Sequence, residues 1–179
     1  MLITYKSIKM KKILSLFIIA TAFTSCDNSA ESDKIAGKWL LDDSRFEKGY
    51  MAGDQKDYDL VKKFLDAYEN MDPQGMVDLS AETVKFHPAD IGGVFDVDMT
   101  NTDFIAERQS NWDSISRDYI FIMPLKMEDS KNRVVTTAFT ETRYIKDGTS
   151  ESINYYERLY INEQDKIMRV VQYSRPPND

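Results

Sequence analysis

His87 is the only histidine in the chain, and an imidazole has an unperturbed pKa of roughly 6.5, which makes it the natural proton carrier at neutral pH. It closes an alternating stretch, Thr83 to His87, directly before Pro88. Glu157 sits in a run of aromatic and β-branched residues, Tyr155-Tyr156-Glu157-Arg158-Leu159-Tyr160-Ile161. A His and a Glu that face one pocket form an acid–base pair. Each also has a structural use. A lone His at a strand end commonly bonds a backbone carbonyl, and Glu157 can pair with Arg143 or Arg158 across neighbouring strands.

Other chemistry is thinner. Asp90, Asp96, Asp98 and Asp103 surround Gly92-Gly93, but a calcium loop needs alternating ligands, a turn glycine and a closing Glu. That spacing fails, and the stretch reads as a solvated acidic loop. No phosphate-cradling glycine loop, His-Glu zinc motif or Gly-x-Ser-x-Gly elbow is present, so neither a metal nor a cofactor is implied.

The single cysteine, Cys26, follows a positive segment (Met10-Lys11-Lys12), an apolar run from Ile13 to Ala22, and Phe23-Thr24-Ser25. This is the order of a secretory signal, and its end resembles a bacterial lipobox, in which cleavage precedes a lipidated cysteine. The run is too short to cross about 30 Å of hydrocarbon. The implied organisation is a signal peptide at 1–25, with Met1 or Met10 as its start, and a lipidated tether at 26–34. Acyl chains such as palmitate on Cys26 would anchor the protein on the extracytoplasmic side of the cell envelope, in the outer membrane of a Gram-negative bacterium. Asp27, Glu31 and Asp33 form either a solvated linker or a stretch resembling a surface-export signal. Four of the 23 Lys+Arg and none of the 30 Asp+Glu precede Cys26, so the remainder carries a formal charge of −11. That balance argues against nucleic acid or anionic lipid as partner. Acylation of Cys26 also leaves no thiol for a disulfide, a metal site or a nucleophile.

Elements must place His87 and Glu157. Leu60, Val61, Phe64, Leu65 and Tyr68 have helical spacing within a helix expected over 44–70. Asp72-Pro73 ends it and starts a shorter helix through Met76, Val77 and Leu79. Thr83 to His87 reads as a strand and 88–99 as a loop. Thr100 with Asp103 suggests a capping box for a helix through Phe104, Ile105, Arg108 and Trp112. Four strands follow, at 119–127, 133–146, 152–162 and 166–174. Asp147-Gly148 is a strong hairpin signal and 162–165 a weaker one. Helices followed by an antiparallel meander make an α+β chain with a curved sheet packed against the helices.

The segments Val61–Asp72, Glu82–Pro88, Asp103–Trp112, Tyr155–Asn162 and Lys166–Arg169 resemble, in order and spacing, the nuclear transport factor 2-like superfamily. That group holds ketosteroid isomerases and the SnoaL-like polyketide cyclases. The resemblance implies a cone over 58–175, with a curved antiparallel sheet wrapped around three N-terminal helices and an apolar pocket. Residues 35–57 form a lead-in segment. It implies His87 where the isomerases carry their general base, and Glu157 where they keep a protonated acid. Phe64 stands where they carry a tyrosine donor, with Tyr68 one turn on as a substitute. If Glu157 points inward, Ile153, Tyr155, Leu159 and Ile161 do so too. The resemblance adds Thr140, Thr142 and Tyr144 from the preceding strand and Val170 and Gln172 from the last. Gly37-Lys38-Trp39 resembles instead the opening of lipocalin-like lipoproteins, which would be β-barrels.

Two functions follow. One is a membrane-anchored module that binds a small, mostly apolar ligand or a partner protein. The other is an enzyme of cyclase, dehydratase or isomerase type with His87 as base and Glu157 as acid. A homodimer through the sheet would need Val135, Phe139 and Tyr173 exposed.

Overall fold

The computed structural model describes residues 34–131 and 133–177. The signal, Cys26 and all but the last residue of the tether lie outside the described residues. Eight strands form one sheet: β1 (Ile35–Lys38), β2 (Gly49–Ala52), β3 (Ser80–His87), β4 (Phe95–Asp98), β5 (Trp112–Met127), β6 (Arg133–Ile145), β7 (Ser150–Ile161) and β8 (Ile167–Arg175). Among the described residues three helices accompany them: α1 (Gln55–Glu69), α2 (Pro73–Leu79) and α3 (Asp103–Gln109). The sheet order is β1-β2-β5-β6-β7-β8-β3-β4. Every neighbouring pair is antiparallel except β3 with β8, so the sheet is mixed where an all-antiparallel one was expected. It has two free ends, β1 and β4, and is not a closed barrel.

Helix α1 buries Val61, Phe64, Leu65, Ala67 and Tyr68 along one stripe, as their spacing predicts. It begins later than expected. Gly49-Tyr50-Met51-Ala52 pairs with β5, Tyr50 opposite Met127, and so is strand rather than helix. Gly53 then passes so close to β5 that a Cβ there would meet the Leu125 nitrogen at 2.8 Å. After α1, Met71 turns through φ 57°. Asp72 caps α2 by accepting from the Gly75 backbone at 2.9 Å, with Pro73 at the first turn.

Two further expectations are corrected. The loop over 88–99 contains β4, whose Val97 is buried in the core. Helix α3 ends at Gln109, because Trp112 opens β5 and packs edge-on against Tyr68 at 6.4 Å. Thr100 forms no capping box. Its hydroxyl donates to Asp98 at 2.7 Å, and Asn101 accepts from the Asp103 backbone at 2.9 Å. The Asp147-Gly148 turn forms as its residues predict, with Gly148 at φ 89°. At the other end of the sheet, Trp39 follows β1 and packs against Tyr50 at 6.3 Å.

Among the described residues no helix is long and apolar enough to cross a membrane. The core lies between the helices and the inner sheet face, where Val135, Phe139, Leu159, Ile161 and Ile167 are buried.

Candidate functional site

Strand pairing decides which side chains share a face, because directly opposed residues point the same way and neighbours along a strand alternate. Glu157 is opposed to Thr137 on one side and Gln172 on the other. The inward set is therefore Tyr155, Glu157, Leu159 and Ile161 on β7, with Val170 and Gln172 on β8. On β6 it is Val135, Thr137, Phe139, Glu141 and Arg143. The expected inward trio of Thr140, Thr142 and Tyr144 has the opposite parity. Thr140 donates to Asn154 at 2.7 Å and the Thr142 hydroxyl meets Ser152 at 2.9 Å, both on the outer face, and Tyr144 is exposed. A one-residue shift in parity exchanges a strand's faces, and here it replaces three hydroxyls by Phe139 and two charges.

Between the helices and this inner face lies a cavity of about 70 Å³, several times the room one water needs. Phe64, Leu65 and Tyr68 of α1, Met76 of α2 and Phe104 and Ile105 of α3 supply apolar wall, completed by Val84, Phe86, Val97, Met99 and Val170. The polar lining is Ser80, Arg108, Arg117, Glu157 and Gln172. Of the residues expected in a pocket, Phe64, Tyr68, Glu157, Val170 and Gln172 line it. Tyr155 and Leu159 are buried on the inner face, but outside the lining.

Glu157 is 2% exposed. Its Oε1 accepts from Gln172 Nε2 at 2.6 Å, and it forms no ion pair with Arg143 or Arg158. Burial pushes its carboxyl above the usual range, with the nearby Arg117 charge opposing. It is thus a carboxyl biased towards the neutral form. The Gln172 Oε1 is buried without a hydrogen-bond partner.

Arg117 was not singled out by its sequence. Its Nε and Nη2 donate to Glu141 Oε2 at 2.8 and 2.6 Å, and its guanidinium lies 4.6 Å from the Tyr68 ring and 4.5 Å from the Phe139 ring. Glu141 also accepts from Arg143 Nε at 2.6 Å, and Arg143 Nη2 donates to Tyr155 Oη at 2.7 Å. Burial disfavours the Arg117 charge, but Glu141 outweighs it and holds the guanidinium pKa up. Burial, reinforced by the Glu141 charge, lifts the Tyr68 hydroxyl to about 12. The available signal was alternation: Ile115, Arg117 and Tyr119 share one parity on β5 and oppose Arg143, Glu141 and Phe139.

His87 is placed elsewhere. Phe86 and Val170 are opposed and line the cavity, whereas His87 is opposed to Val171. His87 therefore points to the outer face, and the structure does not bring it to Glu157. Burial, then the charges of Arg169 and Lys85, pull its pKa below the usual value. The acidic loop residues have local uses. Asp96 pairs with Lys85 at 3.1 Å and Asp90 approaches Arg108 at 3.9 Å. No group of three potential metal ligands occurs among the described residues.

Neither a protein-family model nor a curated protein matches the chain. Solved structures do. An LEH-like epoxide hydrolase from Mycobacterium tuberculosis aligns with TM-score 0.53 at 12% identity, over 67% of this chain and 83% of that one. A nuclear transport factor 2-like protein of unknown function from Exiguobacterium aligns with TM-score 0.53 at 12% identity, over 65% and 98%. A ketosteroid isomerase-like protein from Catenulispora acidiphila, in complex with trimethylamine, aligns with TM-score 0.51 at 14% identity, over 64% and 83%. At these identities the likeness speaks for architecture alone: this chain has the nuclear transport factor 2-like fold.

Proposed function

We propose that the chain is a lipid-anchored envelope protein whose cone binds one small, mostly apolar molecule carrying a hydrogen-bond donor. The observation that carries the reading is the unpartnered Gln172 Oε1 beside Glu157 in a mostly apolar cavity. A buried acceptor left without a donor costs about 1–3 kcal/mol, and a ligand hydroxyl or ammonium would relieve that cost. Arg117 is already committed to Glu141, so it shapes the field of the cavity more than it offers a free fork. The cavity suits a ligand of few heavy atoms, on the scale of the trimethylamine bound by one of the structural neighbours. A catalytic reading through His87 and Glu157 has no shared cavity in which to operate. The anchor rests on the sequence around Cys26.

The test is native mass spectrometry of the full chain, purified gently, beside a Val170→Phe variant that fills the cavity. A retained small molecule is expected on the parent and not on the variant. Thermal shifts with trimethylammonium and small cyclic alcohols provide the second measurement. No retained mass, together with shifts equal in parent and variant, would sink the reading.

A further inference from the structure

The outer face of the sheet carries a cluster that the cavity does not use. Register places Arg158, Val171 and His87 in one row across β7, β8 and β3. The next row holds Tyr160, Arg169 and Lys85, with Asp96 of β4 beyond Lys85. Adjacent strands lie about 4.8 Å apart, so these cationic groups are near neighbours. The guanidinium carbons of Arg158 and Arg169 stand 5.6 and 5.2 Å from the Tyr160 ring centre. Lys85 has Asp96 as counterion at 3.1 Å. The two arginines have none. Arg158 donates to Tyr50 Oη at 3.0 Å, Arg169 has no hydrogen bond or ion pair among the described residues, and the Nε of each is buried without a partner.

The chain does not lack acids: its formal charge is −7. Yet in these two rows Lys85, Arg158 and Arg169 meet a single carboxylate, Asp96, with Asp98 one row further along β4. Uncompensated like charges held side by side repel one another, and a bound anion would remove that cost. A guanidinium fork matches an oxyanion with several equivalent oxygens. Tyr160 fixes both forks by its ring, and Tyr50 steadies Arg158. We propose that the outer face of β7, β8 and β3 binds a phosphate-type oxyanion, held by Arg158 and Arg169 with Lys85 and His87 at its margin. A free phosphate ester and a phospholipid headgroup share this chemistry.

The depressed pKa of His87 fits the same field. The charged groups that share its face are Lys85 on its own strand, Asp96 and Asp98 on β4, Arg169 and Arg175 on β8 and Arg158 on β7. A bound oxyanion opposes Arg169 and Lys85 and raises the imidazole pKa.

The untagged full chain has one imidazole, so its nuclear magnetic resonance signals report on His87 alone. Inorganic phosphate is titrated against chloride at constant ionic strength, and phosphatidylglycerol vesicles are compared with phosphatidylcholine vesicles by co-sedimentation. A saturable phosphate response is expected, with the His87 midpoint moving up. Arg158→Gln with Arg169→Gln should weaken it by about tenfold or more, as the loss of charge-assisted hydrogen bonds requires. Arginine-dependent preference for phosphatidylglycerol identifies a lipid headgroup as the source; phosphate saturation without that preference identifies a soluble ligand. If the double variant does not fold, Lys85→Gln takes its place and should weaken binding several-fold, read at His87 in the same way. No saturable response to phosphate and no vesicle preference overturns the proposal, as does an equal response in parent and variants.

Discussion

Glu157 and Gln172 are direct partners across β7 and β8, joined by a 2.6 Å hydrogen bond from the amide to the carboxyl. The cavity's acid is thus satisfied by a neutral group, while the two buried guanidiniums nearby are both taken by Glu141. This division sets the character of the site. One carboxylate, Glu141, bridges both interior guanidiniums, with Glu151 also pairing Arg143 at 3.2 Å, and the other, Glu157, remains biased towards its protonated form by burial.

The raised Glu157 pKa makes stability depend on pH. Below the usual carboxyl value of 4.5 the unfolded chain is protonated as well, and the stabilising preference for the neutral form is fully present. As pH rises towards the higher native value, folding must take up a proton, and stability falls until that value is passed. Glu157→Gln keeps an acceptor for Gln172 and removes the titration. Urea midpoints at pH 5 and pH 8 should show the variant gaining on the parent at the higher pH. A constant difference would show that Glu157 does not titrate in this range.

The Arg117–Glu141–Arg143 cluster makes an ordered prediction. Glu141→Gln strands the buried Arg117 and leaves Arg143 only Glu151 at 3.2 Å, and breaking a buried pair by removing one partner costs about 3–5 kcal/mol. Arg117→Met leaves Glu141 held by Arg143 at 2.6 Å and places an apolar side chain between Tyr68 and Phe139. Its cost should be clearly smaller. Urea unfolding of the two variants checks the order. Equal costs would mean that Arg143 does not compensate Glu141.

The assigned faces of β6 are testable by adjacent substitutions. Phe139 is 0% exposed and packs between Tyr119 and Tyr155, both at 5.6 Å. Phe139→Ala should cost about 3–5 kcal/mol. Thr140→Ala loses a cross-strand contact with Asn154 and should cost about 1 kcal/mol or less. The reverse order would mean that the strand presents its other face to the helices. Burial of Val135 and Phe139 also removes two of the three side chains looked for at a sheet-mediated dimer contact, leaving Tyr173, which is 60% exposed.

These residues mark where the sequence was legible and where it was not. The stripe Val61, Phe64, Leu65 and Tyr68 announced α1, and Asp147-Gly148 announced a hairpin, because local periodicity and turn chemistry carry that information. The inward parity of β7 came from the resemblance that set Glu157 inward, and alternation carried Tyr155, Leu159 and Ile161 with it. The parity of β6 did not, because its inward set contains Glu141 and Arg143, and charges in a strand suggest solvent unless their partners are known. Arg117, their partner, lies on another strand. The outward turn of His87 depends on the parallel β3–β8 pairing, a long-range contact with no local signature. Strands β2 and β4 are four residues each, too short for alternation to distinguish them from loop or helix.

The proposed anchor at Cys26 is tested by an experiment that separates lipid from charge. The chain after Cys26 is strongly acidic, with a formal charge of −11, so its net charge opposes attachment to an anionic membrane surface, and only the proposed Arg158–Arg169 patch would favour it. Any residual electrostatic attachment is screened by salt, since the Debye length falls to about 3 Å at 1 M. Acyl chains buried in a bilayer are indifferent to salt, and two or more give stable attachment. The parent protein, expressed in a Gram-negative host, is therefore expected to stay in the membrane fraction through a 1 M salt wash and to leave it in detergent. Its intact mass should exceed that of the chain from Cys26 onward by the acyl groups. Cys26→Ser should appear in the soluble fraction or as an uncleaved precursor, without the added mass. A Cys26→Ser chain that is cleaved and still membrane-bound, or a parent released by salt, would rule out the lipid anchor and return Cys26 to the role of an ordinary residue beside a signal peptide.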